Sequence, residues 1–491
     1  MSTLTAASAC VLGLAPLPLA RGLLDAEFRR LFPRHSAAMA VGLVSWWCAI
    51  AIGAVTAPLA VQWGALALIV LVSSVGWWAR TSAGARGGLP PGDRSLGRSV
   101  RDLARRDAYL QRFARLGPVT KAVQFTGTVA CIQGLERGQR LLREHRVAIG
   151  PSPLAFTQHI MGGFLRYMDD ATHDVYGPLF RRAMSRAVTD SAIGNVTITA
   201  PRLLHEAAVQ GADPSAALAE IAYGSLLFAL FGIDESSSFH DEFTRQYRTF
   251  AGSAIAHPGR KRTANALGEL RLMARRFNHT GDDGHPACAI REMRRLDPSM
   301  PDDTCIDNLI FMLRIGADNV AGLMRWMLQF LAENPRLREH LCELASAADS
   351  RLDEELEAFV NECLRNSQSE YVYRRLTDDV VFDGFTLKKG WRVRICVWES
   401  HRDASIFDDA DEFTNRFVGH RFPSSQFCPF GFDRHACNGG GVSMGIATAV
   451  LHHVVSHPEW VLHPATRTTR GFRHWSHWRP GPDLRITSSR P

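Results

Sequence analysis

One cysteine of this chain has neighbours suited to a metal ligand. The segment from Phe430 to Gly439 reads Phe-Gly-Phe-Asp-Arg-His-Ala-Cys-Asn-Gly, and an apolar, helix-like stretch from Val442 to Val455 follows it. A thiolate is a soft anionic ligand suited to iron, and a helix N-terminus stabilises negative charge beside it. Cys437 is therefore predicted to bind iron at a loop–helix junction. The ordinary alternative is an inert cysteine in a glycine-rich loop.

This loop resembles the haem-binding loop of the cytochrome P450 family, Phe-Gly-x-Gly/Asp-x-Arg/His-x-Cys-x-Gly. Phe430, Gly431, His435 and Gly439 stand at the family's positions, whereas Asn438 replaces a usually apolar residue. The resemblance implies that the cofactor is haem (iron protoporphyrin IX) and that Cys437 is the axial ligand of its iron. Phe430 would shield the sulfur, and Gly431 would let the backbone approach a flat cofactor.

The longest candidate helix, Ile306 to Phe330, contains a polar centre. An acid inside an apolar helix is costly unless it has a partner or a role, so Asp318 indicates a site, with a solvent-facing side chain as the alternative. The centre resembles the family motif Ala/Gly-Gly-x-Asp/Glu-Thr. By that resemblance Gly316 and Ala317 open a groove for dioxygen, and Asp318 with Asn319 forms the catalytic pair. Asn319 replaces the alcohol, and a carboxamide is a poorer proton donor.

A Glu-x-x-Arg pair, Glu362 and Arg365, lies on what the sequence indicates is the next helix. The spacing places both side chains on one helix face, although it also occurs elsewhere in the chain, where surface pairs contribute little to stability. The interval before Cys437 is the one expected of the P450 family. The resemblance then implies a structural role in which Glu362, Arg365 and Arg416 together hold the cysteine loop.

Short strands are predicted between this pair and the cysteine, at Val380–Phe382, Phe385–Leu387 and Arg392–Val397. The surrounding sequence is similar to the same region of the family. That similarity implies that Arg374 binds one haem propionate and that His435 binds the same or the other one; an ordinary strand arginine and loop histidine are the alternatives. Arg181 and Arg182 follow an apolar turn at the position where the family has a propionate-binding helix. Whether they bind a propionate or are ordinary surface arginines stays open.

Composition excludes some classes of protein. The 491 residues carry 56 basic and 49 acidic side chains, a net charge of +7, and no basic block with interleaved aromatic residues, so nucleic acid is not expected as a partner. The ten cysteines form no CxxC pair or regular framework, which favours a reducing compartment.

No charged residue occurs from Ser36 to Ala79. About 20 apolar residues cross a bilayer, so this span predicts one or two transmembrane helices, at about 38–58 and 62–79. Arginines flank the span on both sides, which places both ends and the catalytic domain in the cytoplasm. A pair of buried helices is the alternative. Gly88-Leu89-Pro90-Pro91-Gly92 follows as a stiff spacer.

The predicted fold is mainly α with small β-sheets, a cytochrome P450-like fold preceded by an N-terminal transmembrane hairpin. The predicted segments are 1–35, the membrane span 36–79, a basic flank and Pro-rich hinge at 80–92, and a haem domain at 93–491. Within the last segment we expect a helix at Arg101–Leu116, strands at Thr120–Phe125 and Val129–Ile132, and a helix at Gly134–Glu144.

The resemblance implies a membrane-anchored haem-thiolate monooxygenase. It would insert one atom of O2 into a hydrophobic small molecule, using electrons from a separate ferredoxin or flavin reductase. Substrate selectivity would lie near residues 150–175 and 225–265. Arg402, Arg416, Arg421 and Arg434 form either a docking face for the donor or a solvated rim. A peroxygenase, isomerase or oxidative-coupling enzyme is the alternative that Asn319 motivates, and a haem-based sensor is the third.

Overall fold

The computed structural model describes residues 88–92, 115–124, 127–152, 164–165, 168–252, 260–279, 286–368, 372–470 and 478–489. The predicted membrane span, 36–79, and most of the predicted helix Arg101–Leu116 lie outside these residues. Among the helices in the described ranges, none has both the length and the apolar character that a bilayer crossing requires.

Helices make up most of the described chain. They are α1 Leu135–Glu144, α2 Asp170–Ala183, α3 Arg186–Val209, α4 Ser215–Phe231, α5 His240–Gly252, α6 Arg260–His279, α7 Ala289–Leu296, α8 Asp302–Glu333, α9 Pro335–Ser346, α10 Leu352–Cys363, α11 Val397–Ser400 and α12 Gly440–Val455. Short 3-10 turns occur at Arg146–Ala148 and Asp433–His435, and a π turn at Leu364–Gln368 extends α10.

The strands are short and grouped in small sheets. They are β1 Val119–Gln124, β2 Gly127–Ile132, β3 Ile149–Pro151, β4 Val372–Leu376, β5 Val380–Phe382, β6 Phe385–Leu387, β7 Arg392–Ile395, β8 Trp460–His463, β9 Thr468–Arg470, β10 Trp478–Pro480 and β11 Arg485–Ser488. In the largest sheet, neighbouring strands follow the order β2-β7-β4-β3; β2 and β7 run parallel, while β4 is antiparallel to both of its neighbours. β8 pairs with β11 and β9 with β10, both antiparallel.

The chain divides into two compact units. The smaller consists of residues Met1–Thr128, Asp383–Thr386 and Gly471–Trp475, and the larger contains the remainder. In the smaller unit the Pro-rich segment is held by main-chain hydrogen bonds: Lys121 N donates to Pro91 O at 2.8 Å, and Thr386 N donates to Gly88 O. The larger unit contains all the helices named above.

The core of the larger unit is built around α8. This helix has 32 residues, a length of about 48 Å. Pro301 precedes it, and Asp302 and Asp303 in its first turn complement the positive end of the helix dipole. It packs against α4, α6, α10 and α12, and Asn334-Pro335 ends it as predicted. A long, mostly buried helix is thus available to carry one wall of a site.

The structure confirms the mainly helical fold with small sheets. Differences from the sequence expectations lie at boundaries, where polar first turns carry no apolar periodicity: α8 begins four residues before Ile306. Two expectations were wrong. α9 lies between α8 and the helix that carries Glu362, and Val397 begins α11 and does not extend β7.

Candidate functional site

The loop before α12 is folded by its own main chain. Cys437 N donates to Phe430 O at 2.8 Å, Gly431 N donates to Cys428 O at 3.0 Å, and Ala436 N donates to Asp433 O at 3.1 Å. Gly431 adopts φ +75°, a conformation that favours glycine. A Cβ on Gly440 would lie 3.2 Å from the Phe430 ring, so the absence of a side chain there lets the ring pack against the helix start.

Cys437 differs from the other described cysteines. It is exposed, whereas the remaining seven within the described ranges are buried. Burial raises the pKa of the Cys428 thiol, nine residues earlier, to about 12 and also raises that of Cys363. Such thiols stay protonated and are poor ligands. Cys437 precedes the first residue of α12 by three positions, near the positive end of that helix, where a thiolate is favoured.

The Cys437 loop and α8 line the same cavity, whose volume is about 300 Å³. Most of its lining is apolar. It is contributed by residues of α4, α8, α12, the start of β4 and the segment before α2, which include Phe164, Leu165, Leu226, Leu230, Met312, Ile315, Val320, Leu323, Val372 and Val442. An apolar cavity with few polar groups is the usual form of a small-molecule site. Several of these residues fall in the two ranges predicted to control selectivity.

Only part of the polar centre of α8 faces this cavity. Gly316 and Asn319 line it with Ile315 and Val320, whereas Ala317 and Asp318 do not. The periodicity of the helix explains the division, because positions 312, 315, 316, 319, 320 and 323 share one face. Ala317 is buried on another face. Asp318 is half-buried, and its main-chain oxygen accepts a hydrogen bond from Arg479 at 3.4 Å. Ala317, which was predicted to open a groove for dioxygen, therefore lies outside the cavity lining.

One arginine and two histidines line the cavity. Arg374 on β4 and His435 were predicted, and His173 on α2 was not. The rings of His173 and His435 lie 4.1 Å apart. Burial lowers the pKa of His173, and the neighbouring Asp174 opposes this effect only in part. His173 stands on the buried face of an amphipathic helix with Gly177 and Phe180, and this periodicity was the signal that could have revealed it.

Arg181 and Arg182 do not line the cavity. Both are exposed, and Arg181 donates to the main-chain oxygen of Arg434 at 3.0 Å. Arg434 in turn forms ion pairs with Asp170 and Asp174, at 3.3 and 3.0 Å. These contacts connect α2 to the 3-10 turn of the cysteine loop. Arg181 therefore supports that loop from outside the cavity.

Glu362, Arg365 and Arg416 meet in one buried network. Arg365 donates two hydrogen bonds of 2.8 Å to the Glu362 carboxylate, and Arg416 Nε donates to both of its oxygens at 3.1 Å. Arg365 also donates to the main-chain oxygens of His401, Ala410 and Glu412. Glu362 and Arg365 are fully buried. Through these hydrogen bonds the network holds the segment from His401 to Glu412, which precedes the cysteine loop.

His401 joins this network to the cysteine loop. Its Nε2 accepts a hydrogen bond from Cys428 N at 3.0 Å, while its main-chain oxygen accepts from Arg365 at 2.8 Å. Burial and the neighbouring Arg365 lower the pKa of His401 to about 3. The imidazole is therefore neutral near pH 7 and can act as an acceptor.

Three of the four arginines considered as a docking face are engaged elsewhere. Arg416 binds Glu362, and Arg402 pairs with Asp411 at 2.9 Å and donates to Asn366 O. Arg434 pairs with the two aspartates of α2. Arg421 is exposed. These four side chains therefore do not form a shared basic surface.

The arrangement fits haem. Cys437 offers a soft donor, glycines at 431 and 439 leave the backbone uncovered, and Arg374 and His435 at the same cavity can bind anionic groups. The apolar face of α8 supplies the other wall. Asn438, the departure in the loop sequence, also lines the cavity and does not block it.

Comparisons with known proteins agree with this geometry. The cytochrome P450 family profile matches residues 287–475. Abscisic acid 8'-hydroxylase 1 of Arabidopsis thaliana is 28% identical over 178 residues, which cover 33% of this chain and 38% of that protein. Ent-kaurenoic acid oxidase 1 of Hordeum vulgare is 28% identical over 170 residues, 31% of this chain and 34% of that protein. The chain thus matches just over a third of these relatives' length.

Solved structures show the same fold over a larger part of the chain. Cyanobacterial CYP120A1 with retinoic acid bound has a TM-score of 0.68 at 16% identity, covering 82% of this chain and 99% of that one. A zebra fish cytochrome P450 with abiraterone has a TM-score of 0.62 at 15% identity, covering 78% and 98%. The chain is thus similar to the cytochrome P450 family in sequence over residues 287–475 and has the cytochrome P450 fold.

Proposed function

We propose that this protein is a haem-thiolate monooxygenase that inserts one oxygen atom from O2 into a hydrophobic small molecule. One observation carries the proposal: the exposed thiol of Cys437 and the apolar face of α8 line a single cavity. A soft ligand on one side of a cofactor and a dry binding space on the other is the arrangement that such chemistry needs.

Each residue at the cofactor side has a proposed task. Haem supplies the reduction and cleavage of dioxygen when it is bound. Cys437 binds the iron, and Phe430, packed against the start of α12, limits access of water to the sulfur. Arg374 and His435 bind the propionates. Glu362, Arg365 and Arg416 hold the loop that carries Cys437.

The substrate side rests on the residues of α8. The apolar side chains around Ile315 and Val320 bind and orient the substrate and exclude water. Asn319 hydrogen-bonds water at the cavity. Asp318, one residue before it and outside the cavity lining, is the proposed source of the protons, which would reach that water through hydrogen-bonded solvent. Asn319 replaces the usual alcohol at the cavity. This replacement supports the alternative function, a peroxide-using, isomerase or oxidative-coupling enzyme, because such an enzyme needs less proton delivery.

The substrate class follows from the cavity and from the names of similar proteins. Those names refer to abscisic acid, ent-kaurenoic acid and retinoic acid. All three are carboxylic acids with a mostly hydrocarbon skeleton. The cavity described here has a largely apolar lining, which suits that skeleton. We therefore propose a terpenoid or lipid-like substrate.

Electrons come from a separate donor, a ferredoxin or a flavin reductase, in this proposal. The uncharged apolar span from Ser36 to Ala79 supports an N-terminal membrane anchor with the catalytic domain in the cytoplasm. An apolar substrate would partition into the same membrane.

The test is the absorbance difference spectrum of the dithionite-reduced protein with and without carbon monoxide. We expect the strongly red-shifted Soret band of a thiolate-bound carbonyl haem, and we expect Cys437→Ala to abolish it. Cys428→Ala is the matched control, because it removes a buried thiol of the same loop and should leave the band in place. A histidine-type band in freshly prepared protein would refute the haem-thiolate monooxygenase. A red-shifted band that survives Cys437→Ala would refute Cys437 as the ligand.

A further inference from the structure

One wall of the cavity is fastened to α8 by a buried carboxamide. Asn308 is fully buried in the first half of the helix. Its Oδ1 accepts a hydrogen bond from Leu165 N at 2.7 Å, and its Nδ2 donates to Thr304 O at 2.7 Å. The N–H of Leu165 is a main-chain donor in a buried residue, so the side chain of Asn308 satisfies a group that would otherwise lose its hydrogen bond to water.

An aromatic contact strengthens the same attachment. The rings of Phe164 and Phe311 lie 3.8 Å apart between centroids at an angle of 52°. Phe311 follows Asn308 by three residues and therefore lies on the same face of α8. Phe164 and Leu165 line the cavity, whereas Asn308 and Phe311 do not. The two helix residues therefore act on the cavity only through the segment that they hold.

On α8 the cavity lining runs from Met312 to Leu323, so the contact of Phe164 with Phe311 places this wall at the N-terminal end of the lined stretch. Phe311 precedes Asn319 by eight positions, a distance of about 12 Å along a helix. We propose that Asn308 is a positioning residue that fixes Phe164 and Leu165 as the end wall of the cavity and thereby selects compact ligands over long ones. This inference deepens the proposed function and rests on it, since it takes the cavity to be the substrate site.

The test uses a series of n-alkylimidazoles, from n-butylimidazole to n-dodecylimidazole, which bind ferric haem through nitrogen and shift its Soret band without any turnover. For the native protein we expect affinity to rise with chain length and then to fall where the alkyl chain meets Phe164. In Asn308→Leu, which removes the acceptor at similar volume, we expect the ratio of the long-chain to the short-chain dissociation constant to fall by about tenfold. An unchanged ratio would overturn the inference.

A second variant and a matched control complete the design. Phe311→Leu removes the ring that seats Phe164 and should shift the ratio in the same direction, which keeps the test decisive should Asn308→Leu not fold. Gln329 is a buried carboxamide of the same helix that accepts from Ala465 N at 2.8 Å and donates to Ala465 O at 3.1 Å, outside the cavity lining. Gln329→Leu should leave the ratio unchanged, and an equal change there would show general loosening and contradict a specific role of Asn308.

The two proposals fail in different ways. Imidazole binding requires only the haem iron and an alkyl-sized space. A native protein that shows the length dependence but no red-shifted carbonyl band would refute the thiolate enzyme and leave the role of Asn308 standing. A red-shifted band, together with an unchanged ratio of dissociation constants in Asn308→Leu and Phe311→Leu, would support the thiolate enzyme and refute the role of Asn308.

Discussion

At the scale of single residues, Asn319 is the position whose chemistry departs most from the family pattern. It lines the cavity where an alcohol is usual. A hydroxyl can donate a proton in concert with water, which a carboxamide does poorly, and a positioned proton donor contributes about 10²–10⁴-fold to a rate. We expect Asn319→Thr to lower the hydrogen peroxide released per electron pair consumed by about tenfold. The measurement is peroxide release with a ferredoxin and its reductase as electron donors.

Asn319→Ala is the control for this change, because it alters the volume without adding a hydroxyl. It should release at least as much peroxide as the native protein. Oxidation of a dye supported by added peroxide needs less proton delivery, so Asn319→Thr should not increase it. If the threonine variant instead lost a peroxide-supported activity that the native protein has, while its peroxide release stayed unchanged, the peroxide-using alternative would be favoured over the monooxygenase.

Residue types and spacing were sufficient to select several of the residues that line the cavity. Cys437 and Gly431 could be assigned because a soft ligand and a positive φ each require particular residues. The helical periodicity places His173 on a buried face with Gly177 and Phe180, but periodicity does not say which cavity that face meets, so His173 was not predicted as a site residue. Asp318 and Ala317 show a further limit: a motif in a helix spans five consecutive positions, while a cavity is lined by one face of the helix.

At the scale of elements, the network around Glu362 should determine whether the cysteine loop folds. Arg365 is fully buried and donates to Glu362 and to three main-chain oxygens. Removing one member of a buried ion pair leaves the other uncompensated and costs about 3–5 kcal/mol. We expect Arg365→Ala to lower the free energy of unfolding by this amount and to release haem, as measured by urea denaturation followed at the Soret band.

The control is a pair with the same spacing on the surface. Arg245 and Glu242 form an exposed (i, i+3) pair on α5. Arg245→Ala should change neither stability nor haem retention, because exposed pairs contribute little. A stable, haem-bound Arg365→Ala protein would show that the cysteine loop folds independently of this network.

The comparison of these two pairs shows what sequence can predict about elements. Both read Glu-x-x-Arg, and local spacing predicts both contacts correctly. Their difference in burial arises from long-range packing of α10 against α8 and α12, which no local pattern contains. For the same reason α9 was not anticipated as a separate helix, although the apolar period of α8 and its proline terminator were.

At the scale of the whole molecule, buried neutral histidines make stability depend on pH. Burial lowers the pKa of His401 to about 3, and burial with the neighbouring His457 and His452 lowers that of His453 to about 4. Both values lie below the ordinary 6.5 of an unfolded histidine. The folded state therefore favours the neutral imidazole. The stabilisation is complete above pH 6.5 and is lost progressively as the pH falls from 6.5 towards 3–4.

His401 alone should lower the free energy of unfolding by about 1.4 kcal/mol between pH 7.5 and pH 5.5, because the unfolded chain takes up a proton that the folded chain excludes. Urea denaturation of the holoprotein at the two pH values measures this difference. In His401→Gln, which keeps an acceptor for Cys428 N but cannot titrate, the pH dependence should shrink by that amount. His420→Gln, at an exposed imidazole, should keep the native dependence. If the free energy of unfolding depended equally on pH in the native and His401→Gln proteins, His401 would be protonated in the folded state. A protonated imidazole could not accept the hydrogen bond from Cys428 N, so the proposed link between Arg365 and the cysteine loop would be wrong.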